Sequence, residues 1–223
     1  MCGRFTRKHS AAEIAERFEV EEDEADFGPP RYNIAPSQPV PVIHFNAGRR
    51  VLQCKWGLVP FWAKDPALGN KLINAKAETL AEKPSFKYAL EKRRCLIPAD
   101  GFYEWDKRTK PAQPIYIRRR DAGLFAFAGL WEECKLLDGT RLQSCTIITV
   151  EPNALIGAFH HRMAALLRPE DEAVWLDPAR KPAEALALLR PYPETVLEAY
   201  PVSTAVNSPL RDEASLIERL ASE

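Results

Sequence analysis

The second residue of the chain is a cysteine. A small residue at position 2 favours removal of the initiator methionine, which would leave Cys2 as the mature N-terminus. That residue is a 1,2-aminothiol, an α-amine of pKa about 7.7–8.0 beside a thiol near 8.5, so both groups are partly nucleophilic at neutral pH. A 1,2-aminothiol condenses with an aldehyde, first as an imine at the amine. The thiol then closes a five-membered thiazolidine that resists hydrolysis far better than the open imine. Alternatively the thiolate can act as an acyl-transfer nucleophile with the amine as its base.

Three further segments carry groups able to assist either reaction. Leu72-Ile73-Asn74-Ala75-Lys76-Ala77-Glu78 sets an amide, a cation and an acid in a short run flanked by apolar residues. Pro98-Ala99-Asp100-Gly101-Phe102-Tyr103-Glu104-Trp105 sets carboxylates among aromatics, where burial raises a pKa towards the range useful in general acid–base catalysis. Phe159-His160-His161-Arg162-Met163 supplies an imidazole and a guanidinium. Each also has a plain structural reading: Asn74 as a turn former, Glu104 as a surface strand residue, His160 as a satisfied core histidine.

The elements that must position these groups are short. Nineteen prolines against ten glycines indicate many elements separated by rigid turns. Ser10-x-x-Glu13 is a capping box opening a helix with Ala11, Ile14, Ala15 and Phe18 on one side, and Thr79-x-x-Glu82 predicts another running towards Leu90. Strand-like runs cover Val40–Phe45, Val51–Trp56, Cys95–Ile97, Phe102–Trp105, Ile115–Arg119, Leu124–Leu130 and Cys145–Val150. Ala183–Leu189 and Asp212–Leu220 read as helices, with Tyr200–Ser203 a short strand between them. With no βαβ alternation, the pattern predicts an α+β fold around a mostly antiparallel core, flanked by short helices. At 223 residues, with no repeat and no dividing linker, a single domain over residues 1–223 is expected.

Composition narrows the function classes. With 46% hydrophobic and 28% charged residues the chain reads as an ordinary globular protein. No apolar stretch approaches the roughly 20 residues of a membrane span, the longest being about Leu124–Trp131. The N-terminus lacks an apolar signal region, and five cysteines without a C-x-x-C pair suit a reducing cytoplasm. No metal-binding spacing surrounds the histidines, and no cofactor is implied. Thirty-one bases balance 31 acids, yet the charge is uneven. Residues 13–26 hold eight acids and one base, residues 170–223 eleven acids and five bases, and the remainder 25 bases and 12 acids. The bases cluster as Arg4/Arg7/Lys8, Lys92-Arg93-Arg94, Lys107-Arg108/Lys110 and Arg118-Arg119-Arg120, interleaved with Trp56, Phe61, Trp62, Phe102, Tyr103 and Trp105. Cations for phosphates and aromatics for base stacking are what a single-stranded nucleic-acid groove requires. A solvated charged face over an aromatic core would leave the same trace.

Taken in order along the chain, the motifs resemble one family. They are Met1-Cys2-Gly3-Arg4-Phe5, Arg31-Tyr32-Asn33-Ile34-Ala35-Pro36, Trp56-Gly57-Leu58-Val59-Pro60-x-Trp62 and Ile73-Asn74-Ala75-Lys76-x-Glu78. Gly101-Phe102-Tyr103-Glu104-Trp105, His160-His161-Arg162-Met163 and Val202-Ser203-x-x-Val206-Asn207 follow. The set is similar to the SOS-response-associated peptidase (SRAP) family, which shields abasic sites in single-stranded DNA by crosslinking to them. The resemblance implies an SRAP-type fold and catalytic roles for Cys2, Asn74, Glu104 and His160. Cys2 would form the thiazolidine and Glu104 relay protons. Asn74 would hold the Cys2 backbone or the opened sugar, and His160 assist proton transfer. It further implies DNA contacts at Arg4, Arg31, Asn33, Trp62, Lys76, Trp105, Thr149 and Arg162, weak abasic-site lyase activity, and a peptidase reaction removing residues before Cys2. Three positions depart from the usual pattern: Lys76 stands for Arg, His161 for an acid and Ala164 for Pro.

The expected partner is therefore single-stranded DNA carrying abasic sites, bound by a monomer in the cytoplasm or at the nucleoid. Two other readings stay open. A Met-Cys-Gly start also resembles N-terminal-nucleophile amidotransferases, although no glutamine-site signature follows. A non-covalent reader of single-stranded or modified DNA would use the same basic aromatic groove.

Overall fold

The computed structural model describes residues 2–21 and 25–221. Met1, Glu22–Glu24 of the first acidic stretch and Glu223 of the second lie outside them.

Two sheets carry the fold. The first contains β1 (Phe5–Arg7), β2 (Arg31–Ile34), β7 (Gly101–Asp106), β8 (Gln113–Arg119) and β13 (Leu197–Pro201), in the spatial order β13-β8-β7-β1-β2, all antiparallel. The second contains β3 (Pro39–Phe45), β4 (Arg49–Trp56), β5 (Asn74–Lys76), β6 (Arg94–Ala99), β9 (Phe125–Lys135), β10 (Arg141–Val150), β11 (Met163–Ala164) and β12 (Leu166–Leu167). Here β10-β4-β3-β6-β9 closes on itself through a long β9–β10 hairpin, making a small barrel without free edges. Only the pairings of β10 with β4 and with β5 are parallel. The helices are short: α1 (Ala11–Arg17), α2 (Lys87–Lys92), α3 (Ala154–Gly157), α4 (Pro169–Leu176) and α5 (Pro182–Leu186). The α+β class with an antiparallel core is thus the observed one.

The sheets share one apolar core. Every residue of β6 is buried, because it lies in the barrel wall beneath α4. The chain then turns at Asp100 and passes directly into β7 of the other sheet. Phe5 of β1 bridges the two, its ring 5.2 Å from Trp56 and 5.7 Å from Phe127 of the barrel, both edge-on. A Phe5→Ala change would open a cavity at this junction and cost about 3–5 kcal/mol.

Between β4 and β5 the chain makes a loop that leads into Asn74. Its neck is closed by Gly57 and Gly69. A Cβ on Gly57 would lie 2.6 Å from the Gly69 carbonyl oxygen, and one on Gly69 2.4 Å from that of Gly57. Gly57 also has φ 130°, a conformation open to glycine.

The Ser10 capping box forms as expected, with Ile14, Ala15 and Phe18 buried. The helix expected from Thr79 does not. Residues Ala77–Thr79 form a 3-10 turn, Thr79 Oγ1 donates to the Lys76 carbonyl at 3.4 Å, and α2 starts only at Lys87. Pro84 explains the shift, since it disfavours helical geometry at Lys83 and lacks an amide proton. Asp212–Leu220 holds only a 3-10 turn at Ala214–Ile217, because Asp212 is drawn to the β2 backbone. The predicted Ala183–Leu189 helix begins one residue earlier, at Pro182, and stops at Leu186. The helix turn expected before Phe159 is α3, whereas strands β1 and β2, too short to show a period, and helix α4 were not anticipated. No helix among the described residues is long and apolar enough to cross a membrane.

Candidate active site and nucleic-acid interface

Strand register brings Cys2 and an acid together. β1 pairs with β7 through Phe5↔Phe102 and Thr6↔Gly101, and the Tyr103 amide donates to the Arg4 carbonyl at 3.0 Å. Carried one step further, that register sets Gly3 opposite Glu104, with Cys2 adjacent. Cys2 is fully buried, its Sγ 3.8 Å from the Arg4 carbonyl oxygen. Burial pushes the thiol pKa up, and the neighbouring Glu104 charge pushes it further, so the thiol is protonated at neutral pH. Glu104 is 3% exposed, and burial raises its carboxyl above the ordinary carboxylate range.

β10 supplies the other side. β5 runs parallel to it with Asn74 beside Ile147 and Lys76 beside Thr149, while β11 pairs antiparallel with Ala164 beside Thr149. Asn74 Nδ2 donates to the Cys2 carbonyl at 2.9 Å. Its Oδ1 is buried and accepts nothing among the described residues, an open acceptor next to Cys2. Thr149 is fully buried. Arg162, leading into β11, donates to the Thr149 carbonyl at 2.6 Å and forms a bidentate pair with Glu78 at 2.8 and 2.9 Å. That pairing holds the Glu78 carboxyl below its usual value.

His160 follows α3, and its Nδ1 lies 3.0 Å from the Arg162 amide nitrogen and 3.1 Å from the Arg162 carbonyl oxygen, two main-chain contacts that anchor the ring. Burial lowers its pKa, and the His161 ring stacked on it at 4.4 Å and 25° acts the same way. His161 is exposed. Of the two adjacent imidazoles, His160 is the anchored one.

The remaining expected contacts divide by exposure. Lys76 and Trp62 are exposed, and Trp62 lines an open depression of about 450 Å³ with Lys64, Asp65, Leu68 and Lys71. Arg4 and Trp105 are half-buried against the C-terminal segment. Arg4 donates to Asn33 Oδ1 at 2.8 Å and to the Val206 carbonyl at 2.6 Å, and Trp105 Nε1 to Asn207 Oδ1 at 2.8 Å. Arg31 pairs with Asp212 and donates to Gln38 Oε1 at 2.9 Å. Asn33 is fully buried, its amide spent on main-chain carbonyls. Asn33 and Thr149 therefore shape the site from beneath its surface.

Sequence reasoning singled out neither Glu78 nor Asp212 as site residues. Glu78 lies two residues from Lys76 in the same motif, so its spacing was the available signal. Asp212 left none, being 179 residues from the Asn33 amide it accepts. Several basic runs are structural: Arg93 pairs with Glu132, Arg118 with Glu198 at 2.8 Å, and Arg94 is buried on the carbonyls of Leu90, Trp175 and Asp177. Among the described residues no cluster of His, Cys, Asp and Glu could hold a metal ion.

Comparison with known proteins supplies the family. The family described as SOS response associated peptidase (SRAP) matches residues 1–209. The abasic site processing protein YoqW of Bacillus subtilis (strain 168) is 45% identical over 224 residues, covering 98% of this chain and 99% of that protein. The abasic site processing protein HMCES of Gallus gallus is 36% identical over 220 residues, covering 82% of this chain and 64% of its own length. A crystal structure of a protein from Bacteroides thetaiotaomicron superposes with a TM-score of 0.89 at 27% identity, over 99% of this chain and all of that one. The chain belongs to the SOS response associated peptidase family.

Proposed function

We propose that this protein processes abasic sites in single-stranded DNA, as a single domain, by crosslinking to them through Cys2. The ring-opened sugar presents an aldehyde at C1′. The α-amine of Cys2, freed by removal of Met1, adds to that carbon and expels one water, giving an imine. The thiol then adds across the carbon–nitrogen double bond: sulfur bonds to C1′, the proton passes to nitrogen, and a thiazolidine closes without redox change.

The observation that carries this reading is the convergence of Cys2, Asn74 and Glu104. Glu104, kept protonated to higher pH by burial, can give a proton to the ring oxygen as the sugar opens, recover one from the Cys2 amine as it adds to C1′, and pass it to the hydroxyl that leaves as water. The Asn74 amide fixes the Cys2 backbone while its open Oδ1 can accept the freed sugar hydroxyl. His160, neutral at pH 7, can accept a proton at the sugar. Lys76, Trp62, Arg4, Arg31, Trp105 and Arg162 would bind the strand, with Asn33 and Thr149 supporting them. β-Elimination from the imine would give weak lyase activity, and release of residues before Cys2 would be the peptidase reaction. The two relatives described above are abasic site processing proteins, which supports an abasic site as the substrate.

The amidotransferase alternative lacks a glutamine-site signature after Cys2, and Asn74 and Glu104, the groups gathered around Cys2, suit amine-first condensation with an aldehyde. The test is a denaturing gel with an abasic single-stranded oligonucleotide. A heat-stable shifted band that disappears in C2A is expected, together with mass spectrometry showing loss of Met1. Binding without a covalent band would overturn the mechanism and leave a reader, and retention of Met1 in protein that crosslinks would overturn the amine step.

A further inference from the structure

The C-terminal segment Val206–Asp212 is built into the proposed DNA face by an unusual number of polar contacts. Arg4 donates to the carbonyls of Val206 and Asn207 at 2.6 and 3.1 Å, and Trp105 Nε1 donates to Asn207 Oδ1 at 2.8 Å. The Asp212 carboxylate accepts the amides of Tyr32 and Asn33 at 2.5 and 2.9 Å and pairs with Arg31. Between these anchors lies a β-turn, Ser208-Pro209-Leu210-Arg211, closed by the Arg211 amide donating to the Ser208 carbonyl at 3.2 Å. Proline at its second position presets the backbone. The buried Asn33 amide reaches the carbonyls at both ends of the turn, 3.0 Å from Ser208 O and 2.8 Å from Arg211 O.

This anchoring presents one apolar side chain to solvent. Leu210 is 93% exposed at the corner of the turn. An isolated exposed leucine is ordinary in itself; Leu137, 89% exposed at the tip of the β9–β10 hairpin, is such a case. Leu210 differs because a fully buried asparagine holds its turn rigid, and because the residues that pin the segment, Arg4, Arg31, Asn33 and Trp105, all belong to the proposed interface. Apolar side chains on rigid supports beside cations are how proteins part neighbouring bases. Ordering cost is small when the wedge is already fixed.

We propose that the Ser208–Arg211 turn is a wedge of the DNA-binding face, with Leu210 packing against a base next to the lesion and holding it unstacked from its neighbour. The ligand is the base step flanking an abasic site in a single strand, so the proposal rests on the function given above. It adds a binding element that Asn33 and Asp212 exist to position.

The test uses the full chain carrying C2A, which prevents covalent capture, and an oligonucleotide with a tetrahydrofuran abasic analogue. 2-Aminopurine is placed on one side of the lesion or the other. Binding is expected to raise its fluorescence at one of the two positions. C2A/L210A should bind about tenfold more weakly and lose that rise with an unchanged melting temperature, whereas C2A/L137A should match C2A within twofold. Binding and fluorescence in C2A/L210A equal to C2A would overturn the wedge alone, as would C2A binding with no rise at either position. Failure of C2A to bind the oligonucleotide, with no crosslink by the Cys2 protein, would bring down the wedge and the proposed function together.

Discussion

Asp100 and Glu104 are buried carboxylates on either side of one strand start, yet their surroundings are opposite. Asp100, with a fully buried side chain, accepts from Thr6 Oγ1 at 2.6 Å, the Lys8 amide at 2.5 Å and the His9 ring at 3.0 Å. Thr6 in turn bonds to the Tyr116 hydroxyl at 2.8 Å. Glu104 is held where burial favours its protonated form. A buried charge is tolerable when hydrogen bonds offset the lost hydration, and a carboxyl's pKa rises where desolvation outweighs its partners. The first solution fixes β1 and the start of α1 to the inter-sheet corner. The second sets a carboxyl of raised pKa beside Cys2, where the proposed function has it relay protons. One short segment thus holds a structural carboxylate and the one proposed for chemistry.

That contrast can be broken most forcefully at Asp100. Asp100→Ala removes the shared acceptor of the buried Thr6 hydroxyl and the part-buried Lys8 amide and His9 ring, and is expected to cost about 2–4 kcal/mol in urea unfolding at pH 7. A loss below about 1 kcal/mol would show that Asp100 is not the structural member of the pair. At Glu104 the effect should fall on rate. Glu104→Gln is predicted to slow crosslinking about a hundredfold without loss of stability. The sign of its pH dependence follows from the raised folded-state pKa. Ionising Glu104 costs the parent stability as pH rises through that pKa, so the melting temperature of E104Q relative to parent should climb from the ordinary value of 4.5 upward. A difference that shrinks with pH would contradict the burial argument.

A smaller effect separates the stacked histidines. His160→Ala should slow crosslinking about tenfold, and His161→Ala should stay within about twofold. The acid limb assigned to His160 should lie below the ordinary histidine value of 6.5, because its pKa is lowered. Equal losses in the two variants would remove the distinction that anchoring implies. The smallest change is expected at Lys76, where Lys76→Arg should tighten binding to intact single strands about twofold, by restoring bidentate phosphate geometry, and leave the salt dependence in place.

How much of this could be read beforehand varied with the range of the interactions. Cys2, Asn74 and Glu104 were brought together by the family resemblance of their motifs, since residue type alone left Asn74 and Glu104 a plain structural reading. The strands of the barrel showed through their apolar runs, and the Ser10 cap through its own spacing. The helix expected from Thr79 failed on Pro84, whose effect on Lys83 outweighs a capping pattern. The burial of Asn33 and Thr149 was hidden, since it depends on pairing with distant segments: Asn33 with residues 206–212, Thr149 with both Lys76 and Ala164. Net charge by region was a weaker guide than it looked. Arg93 and Arg118 meet acids on other strands, and composition cannot tell a paired guanidinium from one facing a phosphate.

The two glycines at the neck of the β4–β5 loop carry a consequence for change over time. Their backbones touch, so neither can gain a side chain unless the other strand of the neck retreats. No single compensating substitution restores that room. Inside the neck the constraint eases except at Ala63, which is buried against Val59 and Cys134, so residues added or deleted beside the exposed Lys64 and Asp65 would alter the loop's reach without transmitting a shift to Asn74. The loop is therefore a place where relatives can diverge in length and in what they touch while the amide beside Cys2 stays fixed. Drift should collect at its tip and stop at Gly57 and Gly69.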